Sequence, residues 1–538
     1  MKFKRFIALL LALCMVAAIA LTGCGSSSDD TSEAGTDTAA DSTDADSTGT
    51  APETLEVGTS ESLGMLLPYT TSSECGTGEF LIYDMLFYYN YDQELVSDII
   101  TDYYYSDDGF TLYLVMSQDV VFSNGDLATG EDLLFSLSSI VDEERGASTT
   151  SFDYFDFENS YVEEDGYTVV LKTYDTATAV SQFCNLVQVA LLDKAWVEEV
   201  GWDAEEWYTG PVGSGPYIVS DYVSEHHYTF TKRDDYWGGD LDMPETITVT
   251  SYSEATTMAM DLENGDLQLV IEPDSTDYEA ALEDDTDNID GISINGNTCN
   301  WIVFDCDGIF ADENLRLAVA HACDWDQVAA AGKGVKYASA TSSIPSYFSD
   351  YKEEGQYEYD PDLAIEYLNA AGYEADGSLV ITMYVGPQDG SKATATIMQE
   401  YLRQVGITLE WESYEMATVM QMWTDGDGDL FSYAYQGGSV TYDSFFVYQQ
   451  LTSSATMELC QTTYDSTIDD CVAAAILAST EEEAREYYQE IQDWIYETCR
   501  VVSYFEEVNC AIFDNTVITD CYFTSKVYPD LRNVIWAQ

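Results

Sequence analysis

The chain of 538 residues carries 18 Lys and Arg against 99 Asp and Glu, which gives a formal net charge of −81. A surface this negative repels nucleic-acid phosphates and anionic lipid headgroups, so the composition argues against binding to either through a basic patch. Three histidines are too few for a His-rich zinc site, while a hydrophobic content of 46% excludes a wholly disordered chain.

The first predicted element is an export signal. Three basic residues among the first five precede an apolar run, residues 6–21, which is shorter than a membrane span and typical of a secretory signal peptide. The run ends in Leu-Thr-Gly-Cys, which resembles the lipobox of bacterial lipoproteins. We therefore expect removal of residues 1–23 and lipidation of Cys24; the alternative is an ordinary signal peptide cleaved nearby, with Cys24 a free thiol.

Residues 24–54 predict a disordered tether. They are rich in Asp, Ser and Thr and contain no Lys, Arg or aromatic residue, so they cannot bury enough surface to offset the entropy of ordering. No later run approaches the roughly 20 apolar residues of a membrane span. The sequence thus predicts a globular body held at the outer face of the cytoplasmic membrane by its lipid.

The body predicts a mixed α/β fold, because alternating patterns and helical spacings are interspersed along it without a repeat period. Asn-Gly at 124–125 predicts a turn, and Thr129 is a candidate N-cap for the helix that it opens. Strands are predicted from 54 onward, in a hairpin at 111–122, and at 167–173, 217–231, 246–252, 379–385 and 407–412. The other helices are predicted at 78–90, 313–330, 361–371, 391–405 and 480–499.

No metal site or cofactor is predicted. Asp425–Asp429 resembles the start of a calcium loop, but Leu430 and Gln436 replace the glycine and glutamate that such a loop needs. His226 and His227 are neighbours that we expect in a hairpin, where adjacent side chains point to opposite faces. Beyond the signal and the anchor, the cysteines permit disulfides without demanding them, and no CxxC pair occurs.

Six segments, in order, resemble the bacterial extracellular solute-binding proteins of family 5, the peptide- and nickel-type binding subunits of ABC importers. They include a strand-turn-helix signature, a Gly-Ser-Gly-Pro-Tyr turn and an Asp-Tyr-Trp-Gly-Gly motif. Asn124 and Ala128 depart from the usual Asp and Pro of the signature. Such motifs specify turns, caps and packing rather than ligand contacts. The segments are residues 111–137, 213–217, 235–239, 262–267, 314–320 and 359–373.

The resemblance implies a periplasmic-binding-protein-like, two-lobed α/β clamp of type II, of the large cluster with an extra inserted subdomain. A solute would bind in the cleft between the lobes, which close on it by a hinge motion. The implied boundaries are 55–95, 212–305 and 505–538 for lobe I, 96–211 for the inserted subdomain and 306–504 for lobe II.

Peptide-binding members hold the ligand's α-amino group with an Asp, in a segment that matches residues 434–446 here. Tyr435 takes the position of a Trp, and Gly438 falls where the Asp would be. This weakens the case for free peptide N-termini, because a buried ammonium needs a counter-charge, which Glu74 or Asp443 would have to supply. The alternative is an ordinary surface loop. The predicted ligand-binding residues are Glu74, Tyr435, Gly437, Gly438, Ser439 and Tyr442.

The resemblance implies a monomeric receptor, not an enzyme, that captures a peptide or similar small solute and delivers it to ABC permease and ATPase subunits. No nucleic-acid partner and no catalytic residues are expected. The alternatives are an extracellular hydrolase that uses a carboxylate pair on a polymer, and a sensing receptor that binds a peptide signal without import.

Overall fold

The computed structural model describes residues 49–60, 62–68, 76–90, 94–141, 152–187, 189–283, 288–306, 308–346, 348–425, 427–436, 466–523 and 529–538. The predicted signal peptide, Cys24 and most of the predicted tether lie outside these residues. Across the described ranges, no helix is both long enough and apolar enough to cross a membrane.

Strands and helices alternate through the described chain, as the sequence predicts. The strands are β1 (Thr54–Thr59), β2 (Tyr88–Tyr89), β3 (Leu95–Val96), β4 (Ile100–Tyr105), β5 (Thr111–Met116), β6 (Tyr161–Val162), β7 (Thr168–Lys172), β8 (Tyr217–Val223), β9 (His227–Lys232), β10 (Thr246–Ser251), β11 (Leu269–Ile271), β12 (Ile289–Phe304), β13 (Tyr337–Ser339), β14 (Leu379–Val385), β15 (Ile407–Ser413), β16 (Leu430–Gln436), β17 (Val501–Asp514), β18 (Ile518–Asp520) and β19 (Ile535–Trp536). The helices are α1 (Gly76–Ile82), α2 (Gly130–Ser138), α3 (Lys194–Val200), α4 (Glu206–Thr209), α5 (Ala255–Glu263), α6 (Ser275–Glu283), α7 (Glu313–Ala322), α8 (Trp325–Lys333), α9 (Pro361–Ala370), α10 (Asp389–Gln404), α11 (Met416–Asp425), α12 (Ser466–Ala475) and α13 (Glu481–Thr498).

A mixed eleven-stranded sheet runs in the order β15-β14-β16-β12-β17-β11-β1-β10-β9-β8, with β13 paired to β17 as a side branch. β1 lies between β10 and β11 and is parallel to both. The two longest strands, β12 with 16 residues and β17 with 14, pair antiparallel at the centre. A separate antiparallel sheet has the order β4-β5-β7-β6.

The β12–β17 ladder is interrupted in its middle. Asn295 pairs with Val508, but the next pair along the ladder is Cys299 with Glu506, so β12 holds extra residues at this point. A bulge of this kind bends the strand and increases its twist. It divides the central ladder into two halves.

Separate hydrophobic cores lie on the two sides of this bulge. Ile292, before it, packs against the core around β1, β5 and β10. Beyond the bulge, Ile302 and Phe304 belong to a second core with β14 and β15. The alternating residues Trp301 and Val303 point to the other face of the sheet and join a third core with α13. The lobe and subdomain boundaries stay predictions.

Several local predictions are confirmed. Gly125 adopts φ +91° in the predicted turn, and Thr129 precedes α2 with both its N–H and its hydroxyl donating to Asp132 at 2.8 Å. Asp360 caps α9 by accepting from the Leu363 N–H at 3.0 Å. Among the described residues, the cysteines that are buried free thiols are Cys299, Cys306, Cys323, Cys471, Cys499, Cys510 and Cys521.

Four predicted elements differ in extent from the prediction. The helix predicted at 78–90 ends at Ile82, because Tyr83 and Asp84 are drawn into buried hydrogen bonds instead. The helix predicted at 313–330 is two helices, because Asp324 accepts from the Gln327 N–H and starts α8. The strand signal at 111–122 stops at Met116, and 217–231 is a hairpin of β8 and β9 with His226 in its turn.

Candidate functional site

Three of the family-like motifs meet at one buried side chain, that of Arg233. Its guanidinium donates to the carbonyls of Gly215 at 3.0 Å and Phe122 at 3.2 Å, and its Nε donates to Asp235 at 3.1 Å. The side chain is only 3% exposed. Its donors satisfy backbone acceptors that burial would otherwise leave unpaired, so this part of the motif set holds the scaffold together.

Two residues of the Asp-Tyr-Trp-Gly-Gly motif, Tyr236 and Trp237, converge on Asp84, which is fully buried. Its carboxylate accepts from the Tyr236 hydroxyl at 2.9 Å and the Trp237 indole at 2.8 Å, and the Arg532 guanidinium lies 3.7 Å away. Burial raises the pKa of Asp84, and the charge of Arg532 opposes that rise. The carboxyl is saturated by donors from the protein, so this cluster also has a structural role.

Gly213 and Gly215 are required by a close approach to the end of α1. A Cβ added at Gly213 would lie 2.1 Å from the Ile82 carbonyl oxygen, and one at Gly215 would lie 2.6 Å from the Ile82 carbonyl carbon. β8 begins two residues later, at Tyr217. The sharp turn into a strand that the sequence predicts is therefore confirmed.

Asn124, which replaces the usual Asp of the family signature, has a partner that explains it. Its amide nitrogen donates to the Asp193 carboxylate at 2.8 Å, and Asp193 in turn caps α3 through the Trp196 N–H. An Asp at position 124 would set two carboxylates against each other. Packing against Asp193 therefore accounts for the asparagine at this position.

The predicted ligand-binding residues lie largely outside the described chain. Glu74, Gly437, Gly438, Ser439 and Tyr442 are not among the described residues. The backbone of Tyr435 lies in β16, where it pairs with Cys299 of β12. The structure therefore locates the strand that leads into the predicted loop, and the pocket itself stays a prediction.

The strand register places Glu506 two strands away from Tyr435. Cys299 pairs with Tyr435 on one side and with Glu506 on the other, so the three positions are aligned across β16, β12 and β17. This alignment falls at the bulge in the central ladder. Bulges are over-represented next to binding and active sites.

Glu506 is a buried carboxyl with 1% of its surface exposed. Its Oε2 accepts from the Ser346 hydroxyl at 2.7 Å, and the Ser346 hydroxyl accepts from the exposed Asn295 amide at 2.9 Å. Burial raises the pKa of Glu506 to about 7, against the lowering effect of the Ser346 hydrogen bonds. Sequence reasoning missed this residue because one acid among 99 gives no signal of its own.

The segment that carries Ser346 is fixed by Gln492 of α13, which is 1% exposed. The Gln492 side-chain oxygen accepts from the Ser342 hydroxyl at 2.9 Å and the Lys352 N–H at 2.8 Å, and its nitrogen donates to the Asp350 carbonyl at 2.9 Å. A buried amide satisfied on both ends holds a loop in one conformation. The Ser346 hydroxyl is thereby positioned against Glu506.

Two side-chain hydrogen bonds join the predicted inserted subdomain to the predicted lobe II. The Thr178 hydroxyl donates to the Ala478 carbonyl at 2.7 Å, and the Ser181 hydroxyl donates to the Ile476 carbonyl at 2.8 Å. We call these two hydrogen bonds the latch. A cavity of about 270 Å³ lies beside it, lined among others by Tyr103, Phe183, Asp350, Arg485 and Tyr488.

The arrangement of the His, Cys, Asp and Glu side chains decides whether the described residues could hold a metal ion. Within those residues, no group of three or more His, Cys, Asp or Glu side chains is arranged to hold a metal ion. The acidic segment at 425–429 contributes a structural partner instead, since the Asp429 carboxylate accepts from the Thr382 N–H and hydroxyl at 2.8 Å.

The large mixed sheet with the antiparallel pair β12–β17 at its centre has the fold of the periplasmic binding proteins, as the comparison with solved structures shows. The model of the bacterial extracellular solute-binding proteins, family 5 Middle, matches residues 94–458. The chain belongs to this family, and the predicted fold class is confirmed.

Two curated relatives and one solved structure illustrate the likeness. The chain is 22% identical to Di/tripeptide-binding protein 1 of Pseudomonas aeruginosa (strain UCBPP-PA14) over 367 residues, which are 63% of this chain and 67% of that protein. It is 21% identical to the nickel-binding periplasmic protein of Escherichia coli (strain K12) over 467 residues, 81% and 85% of the two chains. The structure of HbpA2 from Haemophilus parasuis matches with a TM-score of 0.79 at 17% identity, over 90% of this chain and 100% of that one. At such identity, the structural likeness supports the fold alone.

Proposed function

We propose that this protein is the extracellular receptor of an ABC importer, which captures a peptide or a similar small solute and releases it unaltered to a permease. The family match over residues 94–458 carries the proposal. The bulge in the central ladder supports it, because such a bulge between two separate cores is a natural place for two lobes to hinge.

The receptor acts at the outer face of the cytoplasmic membrane as a monomer. Cys24, once lipidated, anchors it, and residues 25–48 of the predicted tether keep the body near the permease without fixing its orientation. The last residues of the predicted tether belong to the body, because the Gly49 N–H donates to the Trp536 carbonyl at 3.0 Å and Thr54 begins β1. A flexible linker of about 25 residues spans roughly 25–30 Å in root-mean-square terms, and its repelling charges extend it further. Metabolic labelling of the expressed chain with a palmitate analogue tests the anchor: we expect label in the wild type and none in Cys24→Ala.

The captured solute contacts Tyr435 near the end of β16 and the residues that follow the strand, namely Gly437, Gly438, Ser439 and Tyr442, together with Glu74 from the predicted lobe I. A loop with adjacent glycines beside an aromatic residue can admit a flat or bulky ligand face.

Replacing Tyr435 with Ala tests this pocket. We expect about tenfold weaker binding of the solute in a calorimetric titration, because the aromatic contact area is lost. Tyr161→Ala, at an exposed tyrosine of β6, is the matched control and should bind as the wild type does. Unchanged affinity in Tyr435→Ala rejects the pocket.

A thermal-shift screen of the full chain against peptides, sugars, metal ions and aromatic acids tests the function itself. A ligand that binds the native state alone raises the free energy of unfolding by about 2.7 kcal/mol at 100 times its Kd. One class of solute should raise the melting temperature and be recovered unchanged. A silent screen, together with product formed from an oligosaccharide, would favour the hydrolase alternative.

A further inference from the structure

The cavity beside the latch has an aromatic wall. Its volume is about 270 Å³, and the side chains of Tyr103, Phe183 and Tyr488 contribute rings to its lining. Two larger cavities, of about 410 and 540 Å³, have no aromatic residue in their lining. We call the cavity beside the latch the interface cavity, because residues of both the predicted inserted subdomain and the predicted lobe II line it.

The wall on the side of the predicted inserted subdomain is a cluster of packed rings. Tyr103 and Phe183 stack with their centroids 4.8 Å apart, and Phe87 packs against Phe183 at 4.9 Å. Phe183 is 5% exposed, whereas Tyr103 is 39% exposed. Tyr103 therefore packs on a buried neighbour and still keeps part of its ring surface uncovered by the protein. Because Tyr103 lines the cavity, that surface is available to a ligand there.

The opposite wall comes from the first turns of α13, in the predicted lobe II. Ala484 and Tyr488 lie one turn apart on the same face of the helix, and both are buried and line the cavity. Glu481 and Arg485 also line it, but Glu481 is exposed, and Arg485 is partly exposed and pairs with Glu482 at 3.0 Å. This wall thus combines a small and an aromatic side chain, which are buried, with charged groups that reach solvent.

The volume and the lining determine the kind of group that fits. A cavity of roughly 150 Å³ already holds a benzene ring, and pockets for whole drug-sized molecules begin at about 300 Å³. The interface cavity therefore suits a single ring with its substituent. A ring can pack on Tyr103 and Phe183 in the stacked or edge-to-face arrangements that aromatic pairs prefer. The carboxyls of Asp350, which is buried, and Glu481 disfavour a negatively charged substituent.

We propose that the interface cavity is a binding site for an aromatic group without a negative charge. The group belongs either to a free aromatic compound or to a side chain of the captured solute, and only the second case rests on the proposed function. Ser181 connects the site to the latch, because it lines the cavity and its hydroxyl donates to the Ile476 carbonyl at 2.8 Å. A ring held between the two walls therefore stabilises the arrangement in which the latch is formed.

Cys184 provides a chemical reporter of the site. It lines the interface cavity and is partly exposed, while the other cysteines among the described residues are buried. A bound ring should shield its thiol from alkylation by N-ethylmaleimide. Peptide mapping by mass spectrometry measures the alkylation rate of Cys184 separately from that of every other cysteine, so binding elsewhere on the protein is not mistaken for binding in the cavity.

The test uses the full chain, purified in detergent. The free probes are p-cresol, the anionic p-toluate and the saturated analogue methylcyclohexanol. The peptide probes are a pool of dipeptides and tripeptides that each contain one Phe, and the same pool with cyclohexylalanine in place of Phe. The probe concentration that halves the alkylation rate of Cys184 gives the affinity for each probe.

Three variants accompany the wild type. Tyr103→Ala removes part of one wall, and Ala484→Phe fills the cavity from the other. Tyr104→Ala is the matched control: Tyr104 is the next residue on β4, so it points to the opposite face of the strand, where it stacks on Tyr113 at 4.7 Å.

We expect p-cresol or the Phe pool, at about four times its Kd, to slow the alkylation of Cys184 about fivefold in the wild type and in Tyr104→Ala. The saturated analogue should bind about two- to tenfold more weakly, because it cannot form the aromatic pair. Tyr103→Ala and Ala484→Phe should bind at least about fivefold more weakly than the wild type. Protection by p-cresol identifies a free compound as a ligand, and protection by the Phe pool alone identifies a side chain of the solute.

Failure of both p-cresol and the Phe pool to protect Cys184 overturns the inference, while the receptor function stands if the thermal-shift screen finds a solute. Equal affinity for aromatic and saturated probes overturns it as well, and so does equal affinity of Tyr103→Ala and the wild type. Tighter binding of p-toluate than of p-cresol contradicts the preference for a ring without negative charge. The aromatic and saturated probes are compared in the wild type, so that test stands even if a variant folds poorly. Turnover of a peptide, with protection by p-cresol intact, overturns the receptor function and leaves the inference.

Discussion

Two buried arginines, Arg233 and Arg316, bind backbone carbonyls and so close a turn or a helix end. Arg233 joins two loops, and Arg316 donates to the carbonyls of Phe310 at 2.7 Å and Thr498 at 2.6 Å, which secures the end of α13. Arg532 lies among Asp84, Asp98 and Asp530. The chain has only 18 Lys and Arg, and these three buried arginines stabilise the fold.

Replacing Arg233 with Met should lower the free energy of unfolding by about 3–5 kcal/mol, because it leaves buried carbonyls and Asp235 without their donor. Urea denaturation followed by fluorescence measures the change. Arg403→Met is the matched control: its ion pair with Glu400 is largely exposed, and its loss should cost less than about 1 kcal/mol. Equal losses in the two variants would contradict the structural role of Arg233.

Glu506 should make the stability of the unliganded protein depend on pH. Its pKa rises from 4.5 to about 7 in the folded state, so its favourable contribution is complete below pH 4.5 and is lost as the pH rises through 7. Glu506→Gln removes this dependence. The free energy of unfolding of the variant, relative to that of the wild type, should therefore increase by on the order of 3 kcal/mol as the pH rises from 4.5 to 8. Urea midpoints across that range measure the difference; a constant difference would contradict the assignment.

Elements with clear local signals could be predicted from the sequence, and elements set by long-range contacts could not. β1, β14, β15 and the capped helices α2 and α9 follow from alternation, N-caps and a proline at the first turn. The two central strands were missed: β12 contains Asn-Gly-Asn at 295–297, and β17 contains Glu506 and Glu507, which break the apolar alternation. These polar residues lie at the bulge between β12 and β17. They hid the two strands from the sequence analysis, and they also form the candidate site.

The turn before β8 offers a test at the level of a single element. Gly213→Ala should destabilise the protein by about 2 kcal/mol or more, because its Cβ would lie 2.1 Å from the Ile82 carbonyl oxygen. Gly210, three residues earlier, has an extended φ of 178° and nothing within 4 Å of an added Cβ. Gly210→Ala should therefore change the melting temperature little, and a matching loss there would refute the close-approach argument.

For the molecule as a whole, the latch is a contact that a hinge motion would make or break. It joins the segment at 178–181, in the predicted inserted subdomain, to carbonyls at 476–478, in the predicted lobe II. The hydroxyls are buried and the acceptors belong to the backbone, so the contact depends on the approach of the two segments and not on side chains of lobe II.

Removing both hydroxyls with Thr178→Val and Ser181→Ala should weaken solute binding about five- to tenfold, since each hydrogen bond contributes about 0.5–1.5 kcal/mol to the conformation in which it forms. Small-angle scattering of the unliganded variant should give a larger radius of gyration than the wild type. Thr101→Val, at an exposed strand position, is the control. Unchanged affinity and scattering would show that closure of the predicted lobes does not depend on the latch.

The central claim, that this protein binds a solute and leaves it intact, is tested most directly by recovering what it holds. The full chain is incubated with pools of peptides and sugars and separated from free probe. It is then denatured, and the released compounds are quantified by mass spectrometry. The account predicts one unmodified compound, near one molecule per protein chain, that does not increase with incubation time. Accumulation of a compound of altered mass, in excess over the protein, would contradict it.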